Sequence, residues 1–326
     1  ALVKGKSKNL CLAGGVALSC VANRAIRDMG LFNDVFIQPA SSDEGIPLGV
    51  ALMTYYENGG KMRSPMKNAY LGRPNPQERL PSLLDSTGLE YRKTTNAEVA
   101  KLVAEGKVIG RCYGGSEYGP RALGNRSIIA DPRSKVMRDY VNESIKHREG
   151  YRPFAPSCLA EYGNEYFDLD FDAPFMIIAA QVRDEWQDKL PAITHVDGSS
   201  RPQTVHQEQN PDYYDFIKAF GDLTGVYCVL NTSFNDNGEP IVESYEDAIR
   251  GMFRTGVDYL HIDGYLVVRP EETESVNTTA FEIGETVRNK YTEVAAKLVD
   301  PNKYERLAQR LGAPMNCFDE YVQPSS

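Results

Sequence analysis

The chain has 326 residues, 41% hydrophobic and 25% charged, with 27 Gly and 19 Pro. These globular values exclude a disordered, collagen-like or coiled-coil chain and, at roughly 150 residues per domain, allow about two domains. Lys and Arg number 36 against 45 Asp and Glu, a net charge of −9 that argues against a general nucleic-acid or anionic-membrane binder.

In chain order, residues 8–12 read as a short buried strand, followed by the Gly14–Gly15 turn and an amphipathic helix over 16–29 that Gly30 stops. Residues 34–39 form a second strand, and Ser41, Ser42 and Asp43 supply N-cap chemistry for a helix reaching about Tyr56. From Asn58 to about Ser86 the composition turns Gly/Pro-rich and polar, as in a linker, and a domain boundary falls there. Beyond it the pattern predicts a helix over 97–106, a strand over 108–115 running into a Gly-rich loop, and a helical period over 134–146. Strands are predicted at 175–182, 225–232, 257–262 and 265–268, and helices at 211–220 and 245–253. After Pro270 a polar connection leads to two helices, about 280–299 and 301–311. The alternation defines an α/β protein.

Cys11, Cys20, Cys112, Cys158, Cys228 and Cys317 form no CxxC pair, and His147, His195, His206 and His261 lack metal-ligand spacing. Buried small thiols in a reducing compartment fit this usage, as does the lack of a charged-then-apolar leader, so the expected location is cytoplasmic. No apolar run approaches the roughly 20 residues that span a bilayer.

Residues 107–152 depart from the acidic background. They carry ten cations (Lys107, Arg111, Arg121, Arg126, Arg133, Lys135, Arg138, Lys146, Arg148, Arg152) against five carboxylates (Glu117, Asp131, Asp139, Glu143, Glu149), a local balance of +5. Several of these arginines sit in turn-rich sequence, where a fixed guanidinium grips phosphate or carboxylate through two bonds. A multi-phosphate ligand explains this better than a solvated basic face. The segment LNTSFNDNGEP (230–240) sets Asn231, Thr232, Ser233 and Asn235 at a strand end, where α/β sheets bind ligands and where polar turns also cap themselves. Arg201 and His206 flank a short extended run. Gly14 and Gly15 allow either a close strand–helix turn or an anion at a helix N-terminus. Asp43 is either a helix cap or a metal ligand.

Taken in order, EYGPRALGNRSIIADPR (117–133), KHREGYRPFAPS (146–157), THVDGSSRPQTV (194–205) and LNTSFNDNGEPIV (230–242) resemble the O-carbamoyltransferase family of nodulation-factor and antibiotic biosynthesis. LAGGVALSCVANRAI (12–26) and PASSDEGIPLG (39–49) resemble the closing part of that family's actin-like, Kae1-like domain. The resemblance implies a YrdC-like α/β domain with a twisted mixed sheet over 66–275, the C-terminal remnant of a Kae1-like acceptor domain over 1–65, and a helical tail over 276–326. It implies that carbamoyl phosphate and ATP are converted to carbamoyl-adenylate with release of pyrophosphate, and that the carbamoyl group then passes to an acceptor hydroxyl.

On this resemblance Arg121, Arg126, Arg148, Arg152 and Arg201 are candidates for the phosphates. Asn231, Thr232, Ser233 and Asn235, with Gly14 and Gly15, are nucleotide contacts. Asp43 matches a metal-binding aspartate that works with two histidines, so Mg2+ is implied with ATP and Fe2+ or Zn2+ in the Kae1-like part. Two departures stand out. Gly115 occupies a position where many relatives have Arg, and the partner histidines of Asp43 belong to an upstream segment outside this chain. The chain therefore reads as a domain fragment or as one half of a split enzyme. The implied partners are a small-molecule alcohol and either the missing N-terminal half or a second copy in a homodimer, with neither nucleic acid nor membrane. The rival readings are tRNA threonylcarbamoylation, which the acidic balance disfavours, and a non-catalytic nucleotide-binding subunit.

Overall fold

The structure, a computed structural model, describes residues 7–62, 66–147 and 154–270. The two tail helices expected after Pro270 lie outside the described residues, as do Arg148 and Arg152.

The N-terminal block begins with β1 (Asn9–Leu12), a 3-10 turn over Gly15–Leu18 and α1 (Cys20–Asp28). The single helix expected over 16–29 is thus broken, because the Ser19 side chain caps a fresh start by accepting from the Ala22 N–H. β2 (Asp34–Ile37) pairs in parallel with β1, and α2 (Ile46–Glu57) follows a 3-10 turn that begins at Asp43.

Two helices lie outside the central layer, α6 (Gly163–Tyr166) and α7 (Asp184–Gln187). So does the small antiparallel pair β7 (Ala180–Gln181) and β8 (Ser199–Ser200). The layer itself is an eight-stranded mixed sheet. Its strands are β3 (Tyr91–Lys93), β4 (Ile109–Cys112), β5 (Arg126–Ala130), β6 (Ala155–Leu159), β9 (Gln203–Val205), β10 (Cys228–Ser233), β11 (Tyr259–Ile262) and β12 (Tyr265–Val268), in the order β3-β12-β11-β4-β5-β10-β6-β9. β4 and β11 run parallel, as do β6 and β9, and the other neighbours are antiparallel.

Both faces are covered. α4 (Asn96–Ala104) and α8 (Pro211–Thr224) pack on one, where Val99, Val103, Ile129, Phe216 and Phe220 share a cluster. α3 (Leu80–Thr87) and α9 (Tyr245–Thr255) contribute to the other with Leu80, Leu84, Ile128, Leu230 and Met252. Adjacent residues Ile128 and Ile129 therefore serve opposite cores, the two-residue side-chain period of a strand buried on both sides.

Two expectations are corrected. The apolar run 175–182 contributes only Ala180–Gln181 to a strand. Phe175, Met176, Ile177 and Ile178 instead pack with Ala17, Ile37 and Leu123, so their apolarity reports burial against the N-terminal block rather than a sheet. The segment read as linker holds α3, whose Leu80 and Leu84, four residues apart on one helix face, are wholly buried; Pro81 sits in the first turn, where its missing N–H costs nothing. Beyond α5 (Lys135–Tyr140) the helix predicted over 134–146 continues as a π-helical turn, Val141–Ile145.

The block and the sheet meet through specific contacts. The Asn23 amide donates to the carbonyls of Ala17 and Ile177, at 2.7 Å each. Arg24 grips Asp168 through two bonds, of 3.1 and 2.9 Å.

Candidate functional site

The site is built from the loop between β4 and β5, the turn after α5, and the end of β10. In the first, Glu117 is buried and its Oε1 accepts from the backbone N–H groups of Leu123 (2.7 Å), Asn125 (2.8 Å) and Arg126 (3.3 Å). Burial raises its pKa, opposed by those bonds. One carboxylate thus closes a ten-residue loop with Arg121 at its apex. Gly124 has φ +116°, and a Cβ there would lie 2.2 Å from the Tyr213 ring. Gly115 lets the chain near Gly72 approach, since a Cβ would lie 2.4 Å from the Gly72 carbonyl oxygen. An Arg at that position would require residues 70–72 to move.

The sequence candidates separate in space and role. Arg121 is half-buried; its Nε is buried without a hydrogen-bond partner among the described residues, and burial lowers its pKa. Arg126 differs from expectation. It is wholly buried, and its Nε donates to Glu243 O (3.1 Å), Nη1 to Tyr113 O and Asn125 O (2.9 Å each), and Nη2 to Gly114 O and Glu243 O (3.0 Å each). A guanidinium has five donors, and all are committed to backbone, so this side chain offers phosphate nothing in this arrangement. Arg201 is half-buried beside His195, whose pKa is lowered by burial and further by that positive charge.

At the end of β10, Asn231 is buried, its amide donating to Ser157 Oγ (2.9 Å) and Ala122 O (3.2 Å) while its Oδ1 is buried without a partner. Thr232 is half-buried and pairs across the sheet with Ile128. Ser233 and Asn235 meet Lys146, a residue that sequence reasoning counted among the cations but did not place in the site. The Lys146 ammonium, 5% exposed, donates to Asn235 O and Oδ1 (2.7 Å each) and to Ser233 O (3.1 Å). The π-helical turn delivers it there, its N–H bonded to Val141 O (2.9 Å). Such turns often mark functional positions, and here the turn could not be read from a helical period. Next to it, His147 has φ +46° and pairs with Asp236 at 3.0 Å. Burial disfavours the Asp236 carboxylate, but the bonds from His147 and the Asn237 N–H, with Lys146 nearby, hold its pKa below the usual range.

The N-terminal candidates stand apart. Gly14 has φ +94° and donates to Ser41 O (2.6 Å), and Gly15 opens the 3-10 turn. Asp43 is exposed, and among the described residues no group of three His, Cys, Asp or Glu side chains is arranged to hold a metal ion. A single carboxylate gives too few ligands for a tight site, so the described residues of this chain do not fit a resident Fe2+ or Zn2+.

A wholly covered mixed sheet with a buried ammonium and polar side chains at a strand end defines an α/β protein whose candidate site suits an anionic ligand. The Carbamoyltransferase C-terminus family model matches residues 100–269, and the Carbamoyltransferase N-terminus model matches residues 1–52. The chain belongs to the carbamoyltransferase family. It is 44% identical over 280 residues to nodulation protein NolO of Bradyrhizobium diazoefficiens (79% of this chain, 49% of the relative). It is 42% identical over 298 residues to an uncharacterised protein of Synechocystis sp. (82% and 48%) and 36% identical over 240 residues to the 3'-hydroxymethylcephem-O-carbamoyltransferase of Amycolatopsis lactamdurans (74% and 45%). The chain spans about half the length of these relatives. Full-length HypF in its phosphate- and nucleotide-bound form aligns over 54% of this chain and 22% of its own at 16% identity and TM-score 0.39, too slight a likeness to carry an argument.

Proposed function

We propose that this chain carries the carbamoyl-activating centre of an ATP-dependent O-carbamoyltransferase, in a YrdC-like region over 66–275, joined to the end of a Kae1-like acceptor part over 1–65. The observation that carries the reading is the Lys146 ammonium drawn onto Ser233 and Asn235 at the end of β10, inside the stretch matched by the C-terminal family model.

The chemistry asks for positioned cations more than for a strong acid or base. Carbamoyl phosphate and water give carbamate and phosphate. A carbamate oxygen then attacks the α-phosphorus of ATP, and pyrophosphate leaves as carbamoyl-adenylate forms. Lys146, its donors taken up by Ser233 and Asn235, lends positive charge to the oxygens that gain charge and holds those two residues in place. Arg121, with a donor free of protein partners, contacts a transferring phosphate, and Arg148, Arg152 and Arg201 complete the cation set. Arg126 shapes the loop that presents Arg121. Mg2+ enters with the nucleotide. The second step passes the carbamoyl group to a hydroxyl of a small natural product and draws on further polypeptide, because Asp43 has no companion ligands among the described residues.

A cytoplasmic setting belongs to the same proposal; among the described residues five cysteines are free, and no helix is long and apolar enough to cross a membrane. The test is pyrophosphate release from ATP by the purified chain, with and without carbamoyl phosphate. Release that requires both supports the proposal. Folded protein that binds ATP without turnover, even alongside an added upstream half, supports a non-catalytic nucleotide-binding subunit instead.

A further inference from the structure

Lys146 and His147 are consecutive, as are Asn235 and Asp236, and the two pairs meet residue for residue. The Lys146 ammonium donates to Asn235 Oδ1 at 2.7 Å, and His147 Nδ1 lies 3.0 Å from Asp236 Oδ1. The first contact serves the proposed chemistry; the second has no assigned part in it. An exposed ion pair alone is worth little, but this one is built with unusual constraint. His147 is one of three residues other than glycine with positive φ among the described residues, at +46°. That conformation is disfavoured for any residue with a Cβ, and such outliers cluster at functional sites. Asp236 is fixed as well, since its Oδ1 also accepts from the Asn237 N–H at 2.6 Å. A carboxylate only accepts, so the His147 proton sits on Nδ1 and Nε2 carries the lone pair. The imidazole is 50% exposed, so small molecules can reach it. An imidazole oriented through one nitrogen by a fixed carboxylate, with the other nitrogen basic, is the arrangement of a general base.

We propose that His147, oriented by Asp236, is the general base for the attack of water on carbamoyl phosphate, the step that supplies carbamate for adenylation. The inference rests on the carbamoyl-activating reading of this site. Adenylation needs no base, because carbamate is already an anion. Water does, because it is a poor nucleophile until a proton leaves. Nε2 takes that proton as the water oxygen bonds to the carbamoyl carbon. The bond from this carbon to the bridging oxygen breaks, and phosphate leaves with the electron pair. Nε2 then gives its proton to the departing phosphate, and the carbamic acid formed loses one further proton to solvent as carbamate.

Two variants respect the backbone. Asn tolerates the left-handed region and Gly adopts it readily, so H147N and H147G remove the imidazole while keeping the turn. For the purified full chain, phosphate release from carbamoyl phosphate is measured beside pyrophosphate release from ATP with carbamate supplied from ammonium bicarbonate. We expect phosphate release to fall by roughly 10²-fold or more in H147N, and by less in D236N, where the base remains but its orientation is weakened. Pyrophosphate release with carbamate supplied stays within a few-fold of the parent, and added imidazole restores phosphate release in H147G. Phosphate release in H147N within a few-fold of the parent overturns the proposal, as does an H147G variant that imidazole leaves unrestored. Equal loss in the two reactions also overturns it, since His147 would then only shape the site. A parent chain that releases neither product overturns the activity reading and this inference with it; a parent that turns over beside an unaffected H147N overturns this inference alone.

Discussion

Replacing Arg126 by Met separates a structural arginine from a phosphate ligand. The guanidinium supports the carbonyls of Tyr113, Gly114, Asn125 and Glu243, which come from two stretches of chain more than a hundred residues apart. Asn125 O retains a second donor, the Tyr113 N–H at 3.0 Å, and Glu243 O retains the Asn75 Nδ2 at 3.1 Å, so two carbonyls, those of Tyr113 and Gly114, lose the partner supplied by the side chain. Each buried orphan costs about 1–3 kcal/mol, whereas Met removes the cost of burying a charge. Two orphans against that relief leave a destabilisation of about 2–4 kcal/mol. At about 2–4 °C per kcal/mol for a domain of this size, the melting midpoint of R126M falls by roughly 5–10 °C. R126K keeps the charge with fewer donors and falls between the two. Urea unfolding of the three proteins measures this, alongside KM for ATP and carbamoyl phosphate. A variant R126M that unfolds within about 0.5 kcal/mol of the parent while its KM for either substrate rises would refute the structural role and return Arg126 to the phosphate site.

Three further outcomes follow from the geometry. Lys146→Met removes the ammonium that Asn235 and Ser233 hold, and pyrophosphate release should fall by roughly 10²–10³-fold, as for loss of one electrostatic donor; a rate within a few-fold of the parent would contradict its place in the site. Gly124→Ala combines φ +116° with a Cβ 2.2 Å from the Tyr213 ring, so a loss of about 1–3 kcal/mol is expected by denaturant titration, and unchanged stability would contradict the packing described. His261 is held neutral because its Nδ1 accepts from Arg111 at 3.0 Å, arginine having no acceptor to offer, and burial followed by that positive charge lowers its pKa well below the ordinary value. The unfolded chain therefore takes up a proton on this residue below about pH 6.5 while the folded chain does not, and stability falls with pH below that value by up to about 1.4 kcal/mol per unit. His261→Gln removes this contribution, and an identical pH slope in parent and variant would count against a buried neutral imidazole.

Much of the fold can be read from periodicity because each element has one polar side or one clear stop. α9 starts at a capping box on Ser244 and Asp247 and ends at Gly256 in the left-handed conformation, and β11 and β12 are joined by the Asp263–Gly264 turn. β5 and β6 are harder to see. Both are central and buried at every residue, so they show no alternation, and β5 opens with an arginine that reads as a ligand. The candidate site divides in the same way. Ser233 and Asn235 are visible because polar residues directly follow an apolar strand. The role of Lys146 depends on a π-helical turn, and that of Arg126 on carbonyls supplied by residue 243, neither of which leaves a local trace in sequence.

The loop between β4 and β5 is the element on which both halves of the proposed reaction converge. Its Tyr118 donates to the carbonyl of Glu44, next to Asp43, so the loop is tied to the N-terminal block. Its Ala122 carbonyl accepts from Asn231, and the Arg126 carbonyl accepts from the Phe234 N–H, so the same loop is tied to the strand end that carries Ser233 and Asn235. Glu117 makes the span rigid by gathering three amides onto one oxygen. Arg121 lies in it without a carboxylate partner among the described residues, and a charge held this way keeps its capacity for an incoming anion. A shift of the N-terminal block would reach Arg121 through Tyr118 without passing through the sheet. Tyr118→Phe removes that tie, and the affinity for ATP should fall while the melting midpoint stays near that of the parent. Unchanged ATP affinity in Tyr118→Phe would show that the loop holds Arg121 without help from the N-terminal block.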